Sequence, residues 1–224
     1  MARETLTREQ IVATAIELLD AEGIDALSMR RLAQRLGSAA TSMYWHVGNK
    51  ENLVVLAGDQ VWTGIELPDI TREGWRAAAA SLARNTYDLL TRHHWLVPAT
   101  STHFIYGPGM ARYQDHTYAV YEAAGFAGTD LDHAYETVFN FVLGTALGKS
   151  YETAMRARLD NDGDGEAKLA GIVHRAEEIA GAFPRLKARL AAHRAIDTEN
   201  TEADYFDQSV AIILDGLESR RASA

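Results

Sequence analysis

The chain has no cysteine among its 224 residues. Disulfides, thiolate metal sites and cysteine nucleophiles are therefore excluded. Proline is scarce, at 4 residues, so few positions forbid a continuing helix. No apolar run nears the roughly 18 residues that a membrane span needs. The start, Met1-Ala2-Arg3-Glu4-Thr5, lacks the apolar stretch of a secretory signal, so a cytoplasmic protein is expected. The histidines, His93-His94 among them, show no HExxH or related metal-ligand spacing. Neither a Walker phosphate loop nor a GxGxxG is present, and Gly107-Pro108-Gly109 reads as a turn entering a helix. Asp160, Asp162, Asp164 and Gly165 imitate the start of a calcium loop, but its twelfth position, which needs a bidentate Glu, is Gly171. That stretch reads as a solvated acidic loop. Nothing supports catalysis, a metal or a cofactor, and the chain is not read as an enzyme.

What is abundant favours helices. Apolar residues make up 47 %, and Ala, Leu and Glu are plentiful. No internal repeat is evident, and no segment alternates convincingly like a strand. An all-α protein is expected. The net charge is −9, which argues against a general nucleic-acid coat, because phosphate binding is driven by Lys and Arg. A small DNA-reading patch remains compatible with it. Residues 1–60 carry 6 Lys/Arg and 8 Asp/Glu, so what matters is where those charges sit.

Helical periodicity starts almost at once. Thr7-Arg8-Glu9-Gln10 reads as a capping box, followed by Ile11, Ala15, Leu18 and Leu19 on one face. Gly23 ends that helix. Ser28 caps a second helix bearing Met29, Leu32, Ala33 and Leu36, and Gly37 breaks it after two turns. A third short helix is expected from Ala39 to His46, with Met43 and Val47 inward. Lys50 opens a fourth. Longer helices follow: Thr71 to about His94, Pro108 to Gly125, and Asp130 to about Arg158, the last a rod of roughly 42 Å. A helical segment reaches about His193 with a break at Phe183-Pro184. Residues 197–201 read as a polar connection before a last helix with Phe206, Val210, Ile213, Leu214 and Leu217.

Residues 28–50 are the informative segment. Two short helices meeting at Gly37-Ser38 have helix-turn-helix geometry, in which the second enters the major groove. That helix reads Ala40-Thr41-Ser42-Met43-Tyr44-Trp45-His46. Small residues let the backbone approach DNA, and hydroxyls and a His ring can bond phosphate oxygens. Arg30 and Lys50 flank it, and Lys50 sits at a helix N-terminus, where amides can hold a phosphate. Three short amphipathic helices also make an ordinary small bundle. The period, however, leaves two of the three consecutive rings outside, with Tyr44 open to a partly buried position.

Residues 7–60 resemble the DNA-binding domain of the tetracycline-repressor (TetR) family of transcriptional regulators. Tyr44-Trp45-His46-Val47, Asn49-Lys50, Leu53 and the preceding Leu36-Gly37 carry the likeness. Gly125-Phe126, Val142-Leu143-Gly144, Phe183-Pro184-Arg185-Leu186 and Leu214-Asp215-Gly216-Leu217-Glu218 resemble that family's C-terminal domain, more loosely but in chain order. The resemblance implies a helix-turn-helix DNA-binding domain over 1–50 and a larger helical ligand-binding and dimerisation domain over 51–224. It implies a cytoplasmic repressor, released from operator DNA by a small-molecule effector. A regulator of the same fold without an effector, constitutive or protein-controlled, is the alternative.

The resemblance puts Arg30, Ala40, Thr41, Ser42, Tyr44, Trp45, His46 and Lys50 at DNA-contacting positions. Arg30 falls to a guanine edge, and Tyr44, His46 and Lys50 to phosphate. Ala40 stands where the tetracycline repressor has a base-reading glutamine, so a different operator is implied. Helices near 130–157 and 202–220 are implied to form a homodimer. The implied effector pocket draws on Trp62, Asn85, His103, Phe104, Tyr113, Thr117, Phe139 and Asn140. The family's drug-chelate ligands do not carry over: Glu66 holds the helix-four position, Gly148 lies near the acid, and only His103 persists. A tetracycline–magnesium effector is therefore not expected.

Overall fold

The computed structural model describes residues 6–161, 165–195 and 202–222, with residues 40, 157–161, 166, 193–195, 202–203 and 222 described for their backbone alone. Every regular element among them is helical. The first four helices are α1 (Arg8–Glu22), α2 (Met29–Arg35), α3 (Ala40–Val47) and α4 (Lys50–Thr63). Local side chains start three of them. Thr7 and Gln10 form the capping box on α1, Ser28 accepts from the Arg31 amide, and Asn49 accepts from the Asn52 amide at 2.7 Å. Gly23 and Gly37 take the left-handed φ of 78° and 59° that closes α1 and turns the chain between α2 and α3. Ile11, Ala15, Leu18, Leu19, Leu32, Met43, Val47 and Leu53 are buried and fill one small core. These starts, stops and inward positions match the spacing of the sequence.

The body follows with α5 (Ile70–Arg92), α6 (Leu96–Ala99), α7 (Pro108–Ala123), α8 (Gly128–Asn161), α9 (Gly165–Gly181), α10 (Pro184–Ala195) and α11 (Glu202–Ala222). Several bounds differ from the expected ones. Asp69, not a residue within the helix, caps α5 by accepting from the Thr71 and Arg72 amides at 3.0 and 3.3 Å. Hydrogen bonds from Thr71, then from the Arg72 backbone, hold the Asp69 carboxyl below the usual range. Gly74, at φ 76°, sets the first turn of α5 off from the rest by a kink. The sequence reads as one uninterrupted helix there, because a lone glycine is compatible with the pattern. The short α6 carried no periodic signal of its own. α8 runs through Asp160 and Asn161, where the acidic pattern predicts a loop. Of that loop, residues 162–164 lie outside the described residues, as does the polar connection at 197–201.

The chain divides into two compact units: residues 1–150 with 210–224, and residues 151–209. In the second, α9 packs on α10. In the first, α4 and α5 both pack on α7, and α1 packs on α4. Its core includes Leu82, Leu90, Trp95, Leu96, Val120, Tyr121, Val142 and Leu214. Arg76 of α5 pairs with Asp215 and, at 3.2 Å, with Glu218 of α11. Arg220 pairs with Asp130 at 3.0 Å. Asp20 of α1 accepts from the Trp95 indole at 2.7 Å and contacts the His93 ring at the same distance. That carboxylate ties the N-terminal bundle to the end of α5. No described helix is long and apolar enough to cross a membrane.

Candidate DNA interface and effector cavity

α2 and α3 present one face outward, and what it offers is set by how its cations are occupied. Arg31 donates to Glu22 of α1 at 2.7 Å, and that hydrogen bond holds the Glu22 carboxyl below its ordinary range. Arg35 faces Glu17 of α1 at 3.8 Å. Arg30 is exposed and makes no ion pair or hydrogen bond among the described residues. On α3, Met43 and Val47 are buried while Trp45 is 93 % and Tyr44 49 % exposed. His46 and Ser42 are half-buried and Thr41 is exposed. Tyr44 thus joins Trp45 outside. Ala39, the N-cap of α3, makes no side-chain hydrogen bond, which leaves the start of this helix open to an anion. Lys50 is the first residue of α4, but its Nζ lies 3.4 Å from the Ile24 carbonyl, against the chain between α1 and α2.

The second feature is a cavity of about 420 Å³ in the first unit. Its walls are Trp62 of α4, Leu90 of α5, Leu96 of α6, the segment Thr100 to Tyr106, Met110 of α7, and Phe139 and Leu143 of α8. Among the described lining residues there is no Asp, Glu, Lys or Arg. The hydroxyls of Thr100, Ser101 and Thr102 donate to the carbonyls of Val97, Pro98 and Ala99 at 2.7, 2.7 and 3.3 Å. With their hydrogens so used, the Thr100 and Ser101 oxygens keep only acceptor capacity. The His103 ring lies 2.9 Å from the Thr102 hydroxyl. Uncharged walls with a few polar groups are the make-up of a small-molecule site.

Trp62, His103, Phe104 and Phe139 line this cavity, Phe104 at its rim with 85 % of its surface exposed. Tyr113 and Thr117 lie a layer deeper, around a void of about 10 Å³. There Tyr113 is buried, accepts from the Thr86 hydroxyl at 3.1 Å, and lies tilted against Trp62 with ring centroids 4.8 Å apart. Asn85 donates to the Glu66 carbonyl at 3.0 Å and lines neither space. Asn140 is exposed on α8 and also lines neither. Glu66 falls past the end of α4 and is exposed. The sequence missed the run Thr100 to Ser101, Thr102, Ile105 and Tyr106. Its polar and aromatic mixture is visible in the sequence, but not its place in the cavity wall. A shallower trough of about 540 Å³ lies beyond Tyr106, along the outer side of α7.

Three packed helices with an exposed ring-bearing third, joined through one continuous helix to a body with an uncharged cavity, define a helix-turn-helix DNA-binding regulator. The comparisons agree. The family model "Bacterial regulatory proteins, tetR family" matches residues 11–57. The model "Tetracyclin repressor-like, C-terminal domain" matches residues 67–221. The chain belongs to the tetR family of bacterial regulatory proteins. It is 32 % identical to the HTH-type transcriptional repressor DrrR1 of Streptomyces coeruleorubidus over 96 % of this chain and 78 % of that one. It is 37 % identical to an HTH-type transcriptional regulator of Saccharopolyspora erythraea over 65 % of this chain, spanning 61 % of that relative's length. The solved structure of apo ActR from Streptomyces coelicolor is similar with a TM-score of 0.75, at 30 % identity over 97 % of both chains. ActR has also been solved in complex with actinorhodin.

Proposed function

We propose that the chain acts as a cytoplasmic homodimer that seats α3 of each protomer in successive major grooves and is released by an uncharged aromatic effector held in the cavity of about 420 Å³. The observation that carries this is that α4 bears both functions: Lys50 at its start adjoins α3, and Trp62 near its end walls the cavity. Operator contact falls to Arg30, Ala40, Thr41, Ser42, Tyr44, Trp45, His46 and Lys50. Arg30 reads a base, and the rings and hydroxyls fix register on phosphate. Ala40 meets at most a thymine methyl. No catalytic role is assigned.

The effector contacts Trp62, His103, Phe104 and Phe139, with Tyr113 and Thr117 behind them. Asn85 and Asn140 serve only if the walls rearrange. An effector with hydroxyl donors suits the acceptor oxygens of Thr100 and Ser101. Tetracycline with magnesium does not suit walls without a carboxylate. Dimerisation uses the outer faces of α8 and α11, where Gly144, Leu147 and Gly148 on one and Ile212 on the other are exposed. Ligand and operator then oppose each other by the same factor in both directions.

Selection from random duplex DNA tests the first half. It should return paired inverted half-sites about 34–36 Å apart, one helical turn. Recovery of no sequence above background would overturn the operator assignment. Calorimetry with tetracycline and magnesium tests the exclusion, and tight binding would reverse it.

A further inference from the structure

α7 begins without a cap of its own. Its N-cap, Gly107, has no side chain, and its first residue, Pro108, has no amide. The next two amides still need acceptors. Both donate to one atom, Oδ1 of Asp59 on α4, Gly109 at 2.9 Å and Met110 at 3.1 Å. By contrast α1, α2, α4 and α5 are capped by their own Thr7, Ser28, Asn49 and Asp69.

Glycines make the crossing possible. A Cβ on Gly109 would lie 2.3 Å from the Asp59 carbonyl oxygen, and one on Gly107 would lie 2.5 Å from the Asp59 carboxyl carbon. A Cβ on Gly58 would meet Ile105 at 2.5 Å. The exchange is reciprocal. Arg112 of α7 donates to the carbonyls of Thr63 and Ile65 at 2.9 and 3.0 Å, where α4 ends. Each helix therefore satisfies an end of the other. The same segment walls the cavity, through Ile105, Tyr106 and Met110. The cavity wall thus includes Met110, whose amide donates to Asp59, and Ile105, which lies against Gly58 of α4.

We propose that Asp59 is the coupling residue of this regulator: by capping α7 from α4 it holds α4, and with it α3, in the register that binds operator, and an effector acts by opening that cap. This rests on the operator-and-effector reading above. A ligand shifts such an equilibrium only by what it gains in one state over the other, and the two amides of α7 are what changes partner.

Full-length protein and its selected operator supply the test. Asp59→Ala removes the acceptor and should weaken operator binding about tenfold. The dependence of binding on salt should keep the parent's slope, since no phosphate contact is lost. Asp59→Asn keeps an acceptor oxygen and should restore binding to within about twofold of the parent. In the parent, the Gly109 and Met110 amides should exchange with solvent more slowly in the operator complex than in free protein. That measurement decides the matter alone if Asp59→Ala fails to fold. Three results would each overturn the assignment: parent-like binding by Asp59→Ala, equal losses in both variants, or exchange indifferent to operator. A parent that selects no DNA overturns the operator reading and the coupling role with it. A parent that binds beside an unimpaired Asp59→Ala overturns the coupling role alone.

Discussion

Arg30 and Arg31 are neighbours with opposite employment. One helix step turns Arg31 back onto Glu22 of α1, and it is held there at 2.7 Å. Arg30 is turned out with its five donors unspent among the described residues. Arg30→Ala should therefore cost roughly 1–3 kcal/mol of operator affinity and relax preference at one base pair, with the melting temperature unmoved. Arg31→Ala should do the reverse, touching stability slightly and base preference not at all. Competition binding against single-base operator variants separates the two, and equal base preference in Arg30→Ala and the parent would remove Arg30 from base reading. Trp45, 93 % exposed, contributes almost nothing to the core. Trp45→Ala should leave thermal unfolding as in the parent and lower affinity for every DNA sequence alike. A drop in melting temperature instead would make the ring a packing group.

At the scale of elements, the local signals were legible and the borrowed ones were not. Thr7, Ser28 and Asn49 each bond an amide three residues on, and Gly37 turns on its own φ, so a window of a few residues contains the whole cause. Met43 and Val47 are four apart on one face for the same reason. The kink at Gly74 is different, because a glycine inside a helical pattern permits a bend without demanding one. The cap on α7 is further still from local reading. Gly107-Pro108 shows that a cap is missing, but its acceptor, Asp59, lies 50 residues from the Gly109 it serves. The cavity shared this limit. Trp62 and Phe139 follow from helical faces, whereas Thr100 to Tyr106 form a wall outside any helix, anchored by Ile105, which packs against Gly58.

The packing of α7 and α8 carries its own prediction. Burial raises the phenol pKa of Tyr113, Tyr121 and Tyr135 above the ordinary 10.0. For a raised group the stabilising difference is fully present below the unfolded pKa and is lost as pH climbs through the folded one. Urea midpoints should hence show no pH dependence from these phenols below about pH 10, where their stabilisation is intact, and should fall progressively above it. Tyr135→Phe should flatten that fall. A midpoint that is level to pH 11 would mean these rings ionise in the folded protein as they do in water.

Over the whole molecule, one number acts in two opposite directions. The chain carries a net charge of −9, and both partners proposed for it, a second copy and DNA, are negative. Between two protomers, the middle of the outward face of α8 offers Gly144, Leu147 and Gly148, which are uncharged, so area and close approach there must outweigh like-charge repulsion. Salt screens that repulsion, the screening length falling from about 10 Å at 0.1 M to about 3 Å at 1 M. Added salt should thus tighten the dimer. On DNA, the few outward cations, Arg30 foremost, displace counterions, and added salt should weaken the complex. Leu147→Glu places a charge in the middle of the face, 51 % exposed in the single chain. It should produce monomers by sedimentation at protein concentrations where the parent is dimeric. With one recognition helix per particle, operator affinity should then fall by a factor on the order of 10²–10⁴, the advantage a linked second half-site confers. Sedimentation and operator titration, each at low and high salt, read the two signs directly. A parent dimer that loosens with salt would assign the interface to ion pairs rather than to this uncharged face. A monomeric Leu147→Glu that binds the full operator like the parent would show that a single recognition helix suffices.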